Sequence, residues 1–189
     1  MNQKLVVIIS TVYVLFMATL SIFYQINGDS YKSLVALGGV ICGALPLLLA
    51  LLTKQSINLS IILSYFLFLF GSQYLGSILN WYGLGWWDTF IHFISGSILA
   101  FIGISLFNKW TSSNTKNKIS AWFIFFFPLS FATIGGVFWE IYEFSFDTFF
   151  DMTLQGGGNK DTMTDLIADT LGGLTIAVWT GFRTNSKNK

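Results

Sequence analysis

The chain has 189 residues, 53% of them hydrophobic and only 10% charged, with a net charge of +1 and a mean hydropathy of +0.65. A soluble domain carries about 25% charged residues, so the composition excludes a cytosolic globule, and 20 Phe with 7 Trp exclude a disordered chain. The lone Cys42 excludes a disulfide framework within one chain and a cysteine-based zinc or iron–sulfur site, and the small net charge gives no argument for a nucleic-acid partner.

A transmembrane helix needs about 20 mostly apolar residues. Six segments qualify: 5–26, 33–52, 59–79, 90–107, 121–142 and 166–182. Lys4 before the first run imitates a signal peptide, but that run is about 22 residues, against roughly 7–15 for a signal h-region. No clean small-x-small site follows it, so it reads as a retained anchor. The expected fold is therefore all-α: one polytopic domain over residues 1–189, with six transmembrane helices and a long outer loop at about 143–165.

Basic residues set the expected orientation. Lys4, Lys54, Lys109, Lys116, Lys118, Arg183, Lys187 and Lys189 share the side of both termini, against Lys32 and Lys160 on the other. Both termini are thus expected in the cytoplasm of a bacterial cell. Trp110, Trp122 and Trp179 then mark the inner interface, and Trp81, Tyr82, Trp86 and Trp87 the outer one. Gly38, Gly39, Gly43, Ala44, Gly135, Gly136, Gly172 and Gly173 suit close helix contact, Pro46 and Pro128 suit kinks, and the run 155–159 suits a linker.

All nine acids fall in the outer half of this topology. Eight of them join the only histidine on the last three helices and their outer ends. Asp88 and His92 are an i, i+4 pair and share a helix face. Glu140, Glu143 and Asp147 follow i, i+3, i+7, with Asp151 extending that stripe, and Asp161, Asp165 and Asp169 step by four. His92, Glu140 and Asp165 each lie eighteen residues from an inner marker, Trp110, Trp122 and Arg183 respectively. That is about 27 Å of helix, which sets all three groups near the outer boundary of a hydrocarbon core about 30 Å thick. The expectation is a polar cup opening outward, floored by Asp169 and walled by His92 and Glu140.

A carboxylate within the membrane costs several kcal/mol when unpaired, and packed carboxylates must share protons or meet a cation. A bound divalent metal ion answers the problem, with His92, Glu140, Glu143, Asp165 and Asp169 as ligands and Asp88, Asp147 and Asp161 at the margin. Glu140, Glu143 and His92 are also the candidate catalytic groups. Blander roles compete at the margin: Asp88 fits an N-cap of the fourth helix, and Asp147, Asp151 and Asp161 fit solvated loop positions.

The segment Trp87-Asp88-Thr-Phe-Ile-His92-Phe93 resembles the Asp-x-x-x-His-Phe element of VanZ-like bacterial membrane proteins. Glu140-Ile-Tyr-Glu143 and the run from Asp165 through Asp169 to Gly172 resemble the later elements of that group. Thr89 and Asp169 depart from its usual Lys and Asn. The chain is more similar to the uncharacterised YjdF-like integral membrane family in its Asp-x-x-x-His, Trp-Glu-x-x-Glu and Asp-rich last helix. The resemblance covers roughly residues 80–180 and implies a bacterial inner-membrane protein with these residues as its site; it carries no activity.

Three function classes fit. The first is a metal-dependent enzyme acting on a lipid headgroup or envelope precursor, with the membrane lipid as partner. The second is a noncatalytic envelope-resistance or ligand-binding protein. The third is a proton- or cation-coupled transporter using the Asp161, Asp165 and Asp169 stripe. No HExxH, GxSxG or basic phosphate clamp accompanies the acids.

Overall fold

A computed structural model describes residues 2–53, 58–112, 119–150, 153–156 and 158–187. The expectations attached to Lys54, Lys116, Lys118, Asp151, Gly157 and Lys189 lie outside the described residues. Among the described residues the chain is all-helical, with six α-helices: α1 Asn2–Ile26, α2 Ser30–Thr53, α3 Leu59–Leu69, α4 Trp87–Trp110, α5 Ala121–Phe150 and α6 Asn159–Lys187. A π-helical stretch, Phe70–Ile78, continues α3, and a 3-10 turn, Trp81–Leu84, follows it.

Five helices are long and apolar enough to cross a membrane: α1, α2, α3 with its π-helical continuation, α4 and α5. Large apolar side chains such as Leu15, Ile41, Leu67 and Phe138 point outward on these spans. In water such surface drives aggregation; in lipid it faces its own solvent. The sixth expected span lies within α6, which is not one of the five. Asp161, Asp165 and Asp169 on that helix dilute its apolar character.

The chain divides into two compact units, Met1–Trp87 and Asp88–Lys189. In the first, Val6, Tyr13 and Met17 of α1 present one face to a core completed by Ala36 and Ala50 of α2 and Ile62, Phe66 and Leu69 of α3. Asp29 caps α2 by accepting a hydrogen bond from Lys32 N at 3.0 Å. The Tyr13 hydroxyl donates to Gln73 Oε1 in the π-helical stretch at 2.9 Å. The Trp87 ring is buried, and its indole N–H donates to the Gly71 carbonyl at 3.1 Å. Trp86, beside it, keeps the exposure an interfacial tryptophan needs.

The second unit holds α4, α5 and α6, and its helices outrun the apolar segments. The expected outer loop at 143–165 is therefore corrected. α5 continues to Phe150 and α6 already begins at Asn159. No Gly or Pro interrupts 143–150, so nothing stops α5 where its apolar run ends. Asp161 sits in the first turn of α6, where a carboxylate favours the helix dipole. The short connection is tied down by Asp147, whose carboxylate accepts from Leu154 N at 2.6 Å and Gln155 N at 2.8 Å.

Candidate metal centre

Three helices of the second unit supply the centre. α4 begins at Trp87, so Asp88 lies inside its first turn and is not an N-cap. Asp88, His92 and Ser95 then follow one another along the same face of α4 at i, i+4 and i+7. α5 contributes Glu140 and Glu143, and α6 contributes Asp161, Asp165 and Asp169. His92, Glu140, Asp165 and Asp169 are all buried, at 6%, 5%, 2% and 1% exposure. Asp88 is 37% exposed in its side chain and forms the open edge.

Close helix approach brings the groups together. A Cβ on Gly96 would collide with the main-chain carbonyl of Asp169, and one on Gly172 with that of Phe93. Only glycine lets α4 and α6 lie this near. From α5, a Cβ on Gly136 would sit 2.6 Å from Asp169 Oδ2, so the Asp169 side chain fills the space that Gly136 leaves open.

The imidazole of His92 divides the acids into two sets. On one side, Nδ1 lies 3.0 Å from Asp169 Oδ2. On the other, Nε2 faces Asp88 Oδ1 and Asp165 Oδ2, each at 3.8 Å. One donor atom from each of Asp88, His92 and Asp165 lies within 4.8 Å of the other two. A separation of 3.8 Å is too long for a hydrogen bond. It suits two ligands of one ion: with bonds of about 2.1 Å and an angle of roughly 110–130° at the ion, the ligand atoms stand about 3.4–3.8 Å apart. These three residues form a geometry that fits a metal ion.

Glu140 adds a second signature. Both its carboxylate oxygens are buried with no hydrogen-bond partner, as is Asp165 Oδ2. Among the described residues, no Lys or Arg pairs with Asp88, Glu140, Asp165 or Asp169. Glu140 and Asp161 stand near enough to Asp88 and Asp165 for their charges to repel. Glu143 feels Glu140 in the same way while accepting the Trp139 indole N–H at 2.8 Å. A cation held between Asp88, His92 and Asp165 would offset the repulsion.

Not every expected site residue meets at this point. Asp169 is placed behind His92, away from the three convergent donors, and Asp147 is occupied by the loop amides. Ser95 is a site residue that the reading of acids and histidine does not include. Its Oγ donates to Asp169 Oδ1 and also lies 2.8 Å from the His92 carbonyl. Its position one turn after His92 was the available signal.

Five apolar helices of membrane-spanning length, with a buried carboxylate–imidazole cluster in the second unit, define a polytopic membrane protein. The chain belongs to the family described as "Predicted membrane protein (DUF2238)", whose model matches residues 8–186. It is also similar to a Thermotoga maritima protein named "Uncharacterized protein", with 31% identity over 104 residues. That alignment covers 54% of this chain and 52% of the relative, so the chain spans about half the length of the curated relative it matches. No solved structure matches the chain.

Proposed function

We propose that this is a six-span bacterial inner-membrane protein whose outward-facing centre holds a divalent cation and acts on a lipid headgroup or envelope precursor. α6 is the sixth span, both termini are cytoplasmic, and the YjdF-like resemblance, with the more distant VanZ-like one, describes the same residues. The observation that carries the reading is the convergence of Asp88, His92 and Asp165 donor atoms within 4.8 Å. Two carboxylates and one imidazole suit Mg²⁺, Mn²⁺, Fe²⁺ or Zn²⁺.

An ion there supplies Lewis acidity toward a phosphoryl or acyl oxygen. Asp88, His92 and Asp165 would hold it. Glu140, buried and without a hydrogen-bond partner, is free to take a proton from a water or hydroxyl at the centre, with Glu143 one turn further along the same helix face. That idle carboxylate favours an enzyme over a site that only orders the surface. The transporter reading needs polar groups continuing past Asp169. Instead, Ser97, Thr175 and Thr180 donate to carbonyls of their own helices.

The test is turnover of labelled phospholipids and envelope precursors by the detergent-purified chain with added divalent metal. Turnover that needs metal and disappears in both His92→Ala and Glu140→Ala supports the reading. Turnover surviving in both variants refutes it.

A further inference from the structure

The contacts around His92 carry an assignment that rests on the metal reading and deepens it. Asp169 touches the imidazole from the side opposite the three convergent donors, with Oδ2 at 3.0 Å from Nδ1. A carboxylate that is ionised only accepts hydrogen bonds, so with Asp169 in that form the proton of this contact sits on Nδ1. Nε2 is then the nitrogen with a lone pair to give, and it is the one that faces Asp88 and Asp165, each at 3.8 Å.

Asp169 is itself held in place. The Ser95 hydroxyl donates to its other oxygen, Oδ1, and Gly96 and Gly136 close around its backbone and side chain with no room for a methyl group. At 1% exposure, Asp169 reaches neither lipid nor solvent. A group this enclosed, and this far from the open edge at Asp88, is built to hold a ring and not to meet a substrate.

We propose that Asp169, braced by Ser95, is a positioning residue: it fixes His92 as the Nδ1–H tautomer and aims Nε2 at a cation shared with Asp88 and Asp165. Partners of this kind behind a metal-ligating histidine set its tautomer and ring orientation, and their loss weakens metal binding about 10–100-fold. The competing arrangement is a protonated Asp169 that donates to Nδ1, which leaves the ring proton on Nε2 and its lone pair turned away from the acids.

His92 is the only histidine in the chain, so nitrogen NMR of the full-length, ¹⁵N-histidine-labelled protein in detergent reads one ring without assignment. The metal-stripped sample is titrated upward until the ring holds a single proton. That proton is expected on Nδ1, and added Zn²⁺ is expected to shift the Nε2 resonance. In Asp169→Ala the proton moves to Nε2 in most molecules and Zn²⁺ binds about 10–100-fold more weakly. Ser95→Ala, which keeps the carboxylate, leaves the proton on Nδ1. A wild-type ring protonated on Nε2 overturns the assignment, as does an Asp169→Ala variant with tautomer and Zn²⁺ affinity unchanged. The wild-type spectrum decides the tautomer even where Asp169→Ala does not fold. An Nδ1–H ring that Zn²⁺ fails to shift upholds the role of Asp169 in orienting His92 and refutes the metal reading instead.

Discussion

At the scale of single residues, the centre trades stability for a poised set of charges. Glu140 has two buried carboxylate oxygens and no hydrogen-bond partner, an arrangement that costs a membrane protein free energy unless a cation arrives. Glu140→Leu should therefore raise the melting temperature of the metal-free protein, by about 1–4 kcal/mol of stability, while abolishing turnover. A thermal melt in detergent, with and without metal, checks both halves. Gly136→Ala should act in the opposite direction. Its new methyl lies 2.6 Å from Asp169 Oδ2, and overpacking of this kind costs about 1–3 kcal/mol. The same melt should show the loss, with metal affinity falling as Asp169 is displaced. The acids were legible in the sequence because charge inside an apolar span is rare, and their i, i+3 and i+4 spacing assigns each to a face. Spacing does not reveal how neighbouring helices are rotated about their axes. So it could not tell Asp165, which shares the Nε2 side of His92 with Asp88, from Asp169, one turn away on the Nδ1 side.

At the scale of elements, the ends of the helices carry the differences from expectation. Hydropathy measures the membrane and helix propensity measures the helix, and the two boundaries need not coincide. α5 and α6 both extend beyond their apolar runs, so the expected loop shrinks to the residues between Phe150 and Asn159, where Asp147 holds the amides of Leu154 and Gln155. Asp147→Ala removes the acceptor for two backbone amides and should destabilise the α5–α6 connection by about 1–3 kcal/mol. Because Asp147 stands apart from the three convergent donors, metal content should not change; protease susceptibility at 153–156, measured beside metal content, checks the separation. The third span shows a different limit. Its apolar length was readable, but the change from α to π geometry at Phe70 was not. Gly71-Ser72 and Gly76-Ser77 repeat at an interval of five in that stretch. The contacts that accompany it, Gly76 against the Tyr82 ring and Gly71 with the Trp87 indole, come from residues outside the helix.

For the whole molecule, composition alone excluded water as the main solvent, and five helices of sufficient length and hydropathy agree with that. The sixth is the informative one. α6 carries three acids, two of them deeply buried, and is less apolar for that reason. If α6 is the sixth span and the excess of Lys and Arg marks the cytoplasmic side, fusions that report only in the cytoplasm should be active at both termini. A single cysteine placed at Trp86 in a Cys42→Ser background should react with a membrane-impermeant reagent added outside cells. Opposite labelling at that position would invert the topology and turn the centre inward.

The central claim, that Asp88, His92 and Asp165 hold a divalent cation, is tested most directly by metal analysis of the purified chain. Plasma mass spectrometry would be run on wild type beside a His92→Ala/Asp165→Ala double variant, after equilibration with a mixture of divalent metals and desalting. Near-stoichiometric metal in the wild type, absent from a double variant that remains folded, is the expected result. Equal metal in both samples, or none in either, contradicts the claim.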